Sequence, residues 1–125
     1  AVSASFNDYV RKELNYAIDD RFYLIGDVHP WKYGDGKYLN VTSDLRNAMF
    51  VNPNMEILVA NGRYDLATSY FGTSYAINHM NLPPILRNRI TFTYYNGGHM
   101  MYFVPSELKK LKEDVSKMYT RSLGN

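Results

Sequence analysis

The residues best suited to chemistry are an aspartate and a histidine, each of which follows a short apolar run. Asp65 lies in residues 61–68, NGRYDLAT, and His99 lies in residues 96–102, NGGHMMY. A carboxylate that accepts the proton of one imidazole nitrogen fixes the tautomer of the ring, so that the other nitrogen can act as a general base. The two residues therefore predict nucleophilic catalysis, with His99 as the base and Asp65 as the acid that orients it.

Two segments of the chain are predicted to be the strands that carry this pair. Residues 55–60, MEILVA, form a nearly continuous apolar run, and residues 89–95, RITFTYY, are rich in β-branched and aromatic side chains. Helices are predicted at residues 5–18, 43–50, 69–80 and from Pro105 or Ser106 onward. Strands that alternate with helices indicate an α/β fold with a parallel sheet, in which the loops after the strands meet at one edge.

The sequence also predicts which residues cap these helices and which side of the last helix is buried. Ser5 and Asp8 fit a capping box for the first helix, and Thr42 or Ser43 is suited to cap the second. The consecutive prolines at positions 83 and 84 indicate a connecting segment. In the last helix the apolar stripe that should be buried consists of Leu108, Leu111, Val115 and Met118.

Other candidate motifs are weaker. Residues 72–76, GTSYA, have the form of a nucleophile elbow around Ser74, but they lie in a predicted helix with no strand before them. Residues 34–39, GDGKYL, begin like a dinucleotide-binding loop without its third glycine, and a turn is the better interpretation. Asp27 and His29 are too few to define a metal site. His79 is interpreted as a surface or helix-capping residue.

Residues 59–68, VANGRYDLAT, and residues 94–102, YYNGGHMMY, resemble the C-terminal part of the serine carboxypeptidase family, in its bacterial branch. The resemblance extends from about Phe6 through the last helix. It implies an α/β-hydrolase fold with a triad in the chain order Ser, Asp, His. Asp65 and His99 would then be the triad acid and base, and Met100 would line the substrate pocket. The resemblance implies no metal and no cofactor.

The chain departs from that family before Asp65, where no segment has the form Gly-x-Ser-x-Gly or Gly-x-Ser-x-Ala. The chain is therefore expected to be one partial domain, residues 1–125: the C-terminal portion of an α/β-hydrolase that acts on C-terminal peptide bonds. Alone it should be inactive. Two alternatives remain open, namely a segment of another α/β hydrolase, such as an esterase or aminopeptidase, and a non-catalytic interaction domain.

Composition restricts the partners. The 125 residues carry a net charge of +2, which is too weak to indicate a nucleic-acid or membrane partner, and no apolar run has the length of a membrane span. Without cysteine there can be no disulfide and no thiol nucleophile. Two strands cannot bury their own apolar faces, so the chain is expected to self-associate. An exported location is favoured only by the family resemblance.

Overall fold

The computed structural model describes residues 2–20, 23, 26, 27, 30 and 39–124. The chain divides into two compact units, Ala1–Leu39 and Asn40–Asn125. The first unit contains helix α1, Val2–Lys12. This helix ends earlier than predicted because the chain turns after it: Asn15 adopts a left-handed backbone with φ of 49°. Ser5 lies inside the helix, so the predicted capping box is wrong.

The second unit contains the remaining helices and the sheet. In chain order its elements are α2 (Thr42–Val51), β1 (Ile57–Gly62), α3 (Tyr70–Asn78), α4 (Pro84–Arg87), β2 (Ile90–Tyr95), a 3₁₀ helix (Met101–Phe103) and α5 (Pro105–Leu123). The three helices predicted in this region are present, and β1 and β2 lie within two residues of their predicted bounds. The sequence did not predict α4, a single turn that begins directly after Pro83.

The two strands pair in parallel, as predicted, and they form a two-stranded sheet among the residues that the structure describes. Ile57 aligns with Ile90, and the register continues to Gly62 beside Tyr95. The connection through α3 and α4 returns the chain to the same end of the sheet, which is what a parallel arrangement requires. This mixture of helices with a parallel sheet agrees with an α/β class, and both strands end at the edge where Asp65 and His99 follow.

The core lies on one face of the sheet. Met49, Ile77, Met80, Leu86 and Ile90 are buried together, and Leu45, Met55, Ile57, Val59, Leu82 and Phe92 pack partly buried around them. Because side chains alternate between the faces of a strand, Ile57 and Val59 share this face with Ile90 and Phe92. Helices α2, α3 and α4 and the loops next to them supply the rest of the core, so α3 packs against the sheet directly after the loop that carries Asp65.

Helix α5 contacts both strands. Its partly buried positions include Leu111, Val115 and Met118, as predicted, but Leu108 is half exposed. Glu107 is buried in its place, since its Oε2 accepts a hydrogen bond of 3.0 Å from the main-chain N–H of Asn96. The predicted stripe is therefore correct except at the first turn, where a polar contact with the end of β2 replaces an apolar one.

The start of α2 also differs from prediction. Neither Thr42 nor Ser43 caps the helix, because Val41 occupies the cap position and makes no side-chain cap bond. The Oδ1 of Asn40 accepts instead, from the N–H of Thr42 at 2.9 Å and from its hydroxyl at 2.7 Å. Among the described helices, none combines the length and the apolar character needed to cross a membrane.

Candidate active site

Main-chain hydrogen bonds beyond the ends of the strands hold the two predicted loops together. The N–H of Arg63 donates to the carbonyl of Tyr95 at 2.9 Å, and the N–H of Tyr64 donates to the carbonyl of Gly97 at 3.0 Å. A side chain at Gly62 would collide with this second loop, since a Cβ there would contact the Gly98 carbonyl and lie 2.8 Å from the carbonyl oxygen of Gly97. Glycine at position 62 is what lets the loops approach so closely.

Asp65 is held in place by its own loop. Its Oδ1 accepts the N–H groups of Ala67 at 2.8 Å and Thr68 at 2.9 Å, and its Oδ2 accepts the hydroxyl of Thr68 at 2.5 Å. An aspartate that binds main-chain N–H groups two and three residues later is a common turn former. Asp65 is 8% exposed, so these contacts fix a nearly buried carboxylate in one orientation.

The same contacts determine the ionisation of Asp65. The hydroxyl of Thr68, followed by its N–H, lowers the pKa of Asp65 well below the usual range, and His99 and Ala67 act in the same direction. Burial opposes them but is the weaker influence overall. Because donors to the charged form stabilise it, Asp65 is a carboxylate throughout the neutral range.

His99 completes the arrangement from the second loop. Its Nδ1 lies 2.9 Å from Oδ2 of Asp65 and 3.4 Å from the hydroxyl oxygen of Thr68. An ionised carboxylate can only accept, so Nδ1 carries the proton of this hydrogen bond. In the neutral ring Nε2 is then the acceptor. The side chain of His99 is 65% exposed, and Nε2 makes no hydrogen bond to the described residues.

A cavity of about 270 Å³ lies beside this pair. It is lined by Val59, Ala60, Asn61, Gly62, Asp65, Thr68, Thr73, His99, Met101 and Tyr102. Met100, the predicted pocket residue, is 45% exposed and is absent from this lining, whereas the next two residues contribute to it. A base with a fixed tautomer at the wall of a cavity can take a proton from a hydroxyl or water placed there.

No protein-family model, no curated protein and no solved structure matches the chain.

Thr68 is the main site residue that sequence reasoning missed. A signal was present, because a threonine three residues after an aspartate fits the local hydrogen-bond pattern of a turn or cap. Asn61 was also missed: it is 6% exposed, and its Nδ2 donates to the carbonyls of Val59 at 3.1 Å and Thr93 at 3.3 Å, which ties the strands together just below the site. Nothing in the sequence pattern distinguishes this buried asparagine from one in a turn.

The other motifs stay apart from the pair. Ser74 lies in α3 as predicted, and its Oγ is 3.5 Å from the hydroxyl of Tyr94. His79 is the C-terminal cap residue of α3, with Nδ1 2.7 Å from the carbonyl oxygen of Tyr75. His29 and residues 34–38 lie outside the described residues, so the weak metal pair and most of the loop motif are not placed. Within the described part of the chain, no group of three potential metal ligands occurs.

Proposed function

We propose that this chain supplies the acid and the base of a serine-type carboxypeptidase triad. In this reaction Nε2 of His99 takes the proton from a serine hydroxyl as its oxygen attacks the scissile carbonyl carbon. Asp65 stabilises the imidazolium that forms. The proton then passes from Nε2 to the leaving amine, and the C-terminal amino acid departs. Nε2 next takes a proton from water as the water oxygen attacks the acyl-enzyme, and this proton returns to the serine oxygen when the shortened peptide leaves.

The observation that carries this proposal is the hydrogen bond of 2.9 Å between Asp65 and His99, with Nε2 left open beside the cavity. Many aspartate–histidine contacts are structural ion pairs on a protein surface. Here the carboxylate is nearly buried, is fixed by three donors from its own loop and lies after a parallel strand. Those are the features that a positioning carboxylate requires. The family resemblance supports a peptide as the substrate and implies no cofactor.

The proposed nucleophile is a serine outside these 125 residues. Every serine of the second unit lies among the described residues, and none of them forms a hydrogen bond with His99. Ser74 instead contacts Tyr94. We therefore expect the isolated chain to form no covalent adduct with a fluorophosphonate probe. Mass-spectrometric labelling of Ser74 would contradict this proposal and would assign the nucleophile to the chain itself.

The decisive experiment uses the longest open reading frame that contains these residues. If its product includes a serine elbow, we expect it to release the last residue from a peptide with a free C-terminal carboxylate but not from the amidated peptide. His99→Ala and Asp65→Asn should each lower kcat by about 10⁴-fold. His79→Ala is the matched control, since His79 caps a helix away from the pair.

The same assay separates the proposed activity from the alternatives. Hydrolysis of a nitrophenyl ester, with no cleavage of the free-carboxylate peptide, would indicate an esterase. Removal of residues from the amino end would indicate an aminopeptidase. Full activity of His99→Ala would show that Asp65 and His99 take no part in catalysis. A reading frame without a serine elbow would favour a non-catalytic interaction domain.

A further inference from the structure

The carboxamide of Asn61 belongs to the lining of the cavity beside Asp65 and His99, and the fold uses only half of it. Its Nδ2 donates to two main-chain carbonyls, those of Val59 at 3.1 Å and Thr93 at 3.3 Å. These acceptors fix the orientation of the group, because the reverse orientation would place Oδ1 against two carbonyl oxygens. Oδ1 accepts a hydrogen bond from none of the described residues.

This Oδ1 is the polar atom that Asn61 presents to the cavity. The main-chain groups of Asn61 face β2, since Ile57 and Arg63, an even number of residues away, donate their N–H groups on that side. The residue is 6% exposed, yet Oδ1 is not one of the fully enclosed side-chain atoms that lack a partner. A molecule in the cavity can therefore reach it.

An acceptor that is largely withdrawn from water and has no partner is unfavourable for folding, and a ligand that donates to it removes this cost. The hydroxyl protons in the same lining are used elsewhere: Thr68 donates to Asp65, and Thr73 donates to a main-chain carbonyl at 3.2 Å. Nε2 of His99 is also an acceptor. The cavity therefore offers a ligand two unused side-chain acceptors, which favours a ligand with N–H or O–H groups.

We propose that Asn61 is a substrate-binding residue, whose Oδ1 accepts a hydrogen bond from the N–H of a peptide bond. This inference deepens the proposed function, on which it rests for the choice of a peptide over other N–H donors. An ester of the same shape has oxygen in place of the N–H and leaves Oδ1 unpaired. Asn61 should therefore make the cavity prefer an amide to the matching ester.

Three small probes, titrated into the natural chain, test for this hydrogen bond. N-methylisovaleramide has a single N–H. Methyl isovalerate has the same shape with oxygen in its place, and N,N-dimethylisovaleramide keeps the amide carbonyl without an N–H. We expect N-methylisovaleramide to bind at least about threefold more tightly than either of the others, which corresponds to one net hydrogen bond.

NMR of the side-chain amides shows where the probe binds. A hydrogen bond to Oδ1 polarises the carboxamide, so the signals of the Nδ2 protons of Asn61 should shift with N-methylisovaleramide and much less with the other two probes. The side-chain amide of Asn52 is the internal reference. It is exposed, its Nδ2 donates to the carbonyl of Ala48 at 3.1 Å, and it does not belong to the cavity lining.

A substitution that removes the acceptor completes the test. Asn61→Leu has a side chain of similar size without Oδ1, and it should lose the preference for N-methylisovaleramide. Asn52→Leu is the matched control and should keep that preference. Because Asn61 also joins the two strands, circular dichroism checks that Asn61→Leu folds. The comparison of the probes on the natural chain gives a result even where this variant does not fold.

The inference is overturned if the natural chain binds the three probes equally or binds none, or if the Asn61 signals do not shift. An unchanged preference in folded Asn61→Leu would also overturn it. The peptidase assay of the longest reading frame separates this inference from the proposed function. An inactive product whose cavity prefers the N–H probe would contradict the carboxypeptidase and support Asn61 as a binding residue. An active product without that preference would contradict the role of Asn61 alone.

Discussion

Gly62→Ala tests how the site is assembled, because it adds one methyl group where the two loops meet. The new Cβ would contact the Gly98 carbonyl and lie 2.8 Å from the carbonyl oxygen of Gly97. Both neighbours are main-chain atoms, so no flexible side chain can move aside. The loop that carries His99 must withdraw by more than about half an ångström to restore ordinary contact.

This displacement has two calculable consequences. Overpacking against the main chain costs about 1–3 kcal/mol, and loss of the Tyr64–Gly97 hydrogen bond adds about 1 kcal/mol. We therefore expect the free energy of unfolding to fall by about 2–4 kcal/mol. The contact of 2.9 Å between Asp65 and His99 would also lengthen towards about 3.5 Å, where a hydrogen bond is no longer formed.

Urea unfolding followed by circular dichroism measures the first effect, and the low-field NMR signal of the proton on Nδ1 of His99 reports the second. Gly72→Ala is the matched control: Gly72 lies in α3 with no atom within 4 Å of an added Cβ. Alanine favours a helix over glycine, so this variant should be up to about 1 kcal/mol more stable. If Gly62→Ala is as stable as the natural chain and keeps the signal, the close approach of the loops does not position the pair.

Further predictions concern charge. Thr68→Val should raise the pKa of Asp65 towards its usual range because it removes the strongest donor, whereas Thr68→Ser should not; carboxyl NMR titration measures both. Because folding lowers the pKa of Asp65, ionisation of this carboxyl stabilises the folded chain. This contribution to the free energy of unfolding is complete above the ordinary pKa of about 3.9, and it is lost as the pH falls below that value. Unfolding midpoints from pH 7 to pH 2 should therefore decline more in the natural chain than in Asp65→Asn; equal slopes would contradict the lowered pKa. Glu56→Ala should cost about 1–2 kcal/mol, because this 4% exposed side chain holds the more exposed guanidinium groups of Arg89 at 2.9 Å and Arg121 at 2.6 Å. Asp8→Ala, which breaks the exposed ion pair with Lys12, should lower the free energy of unfolding by less than about 0.5 kcal/mol. Similar losses for Glu56→Ala and Asp8→Ala would contradict the idea that burial of the carboxylate makes an ion pair more stabilising.

The sequence predicted the strands of the second unit well because the apolar and aromatic runs that form them are local and strong signals. The apolar run before Asn61 and the aromatic run before Asn96 fixed the parallel strands to within two residues. Since loops after parallel strands share an edge, the proximity of Asp65 and His99 followed from that prediction alone. Their hydrogen bond confirms the proximity.

The failures have a different physical origin. The end of α1 depends on the left-handed backbone of Asn15, and a single asparagine in a sequence is not enough to predict that conformation. At the start of α5, Glu107 is buried where its carboxylate accepts the N–H of Asn96, and Leu108 is half exposed. Burial of a polar residue at a predicted apolar position depends on which main-chain groups remain unpaired after the sheet forms, and this is a property of tertiary structure.

Asp65 and His99 differ in how many contacts hold their side chains in place, and this difference affects the chemistry that the pair could perform. Asp65 accepts three hydrogen bonds from its own loop, so its orientation does not depend on the histidine. His99 has one firm anchor, the carboxylate, and most of its ring faces solvent. A fixed acid can therefore select the tautomer and direction of a base that is otherwise free to meet a hydroxyl. The reverse arrangement, with a buried histidine and a loose carboxylate, would fix the ring without leaving Nε2 accessible. The observed asymmetry is compatible with the general-base role that we propose for Nε2.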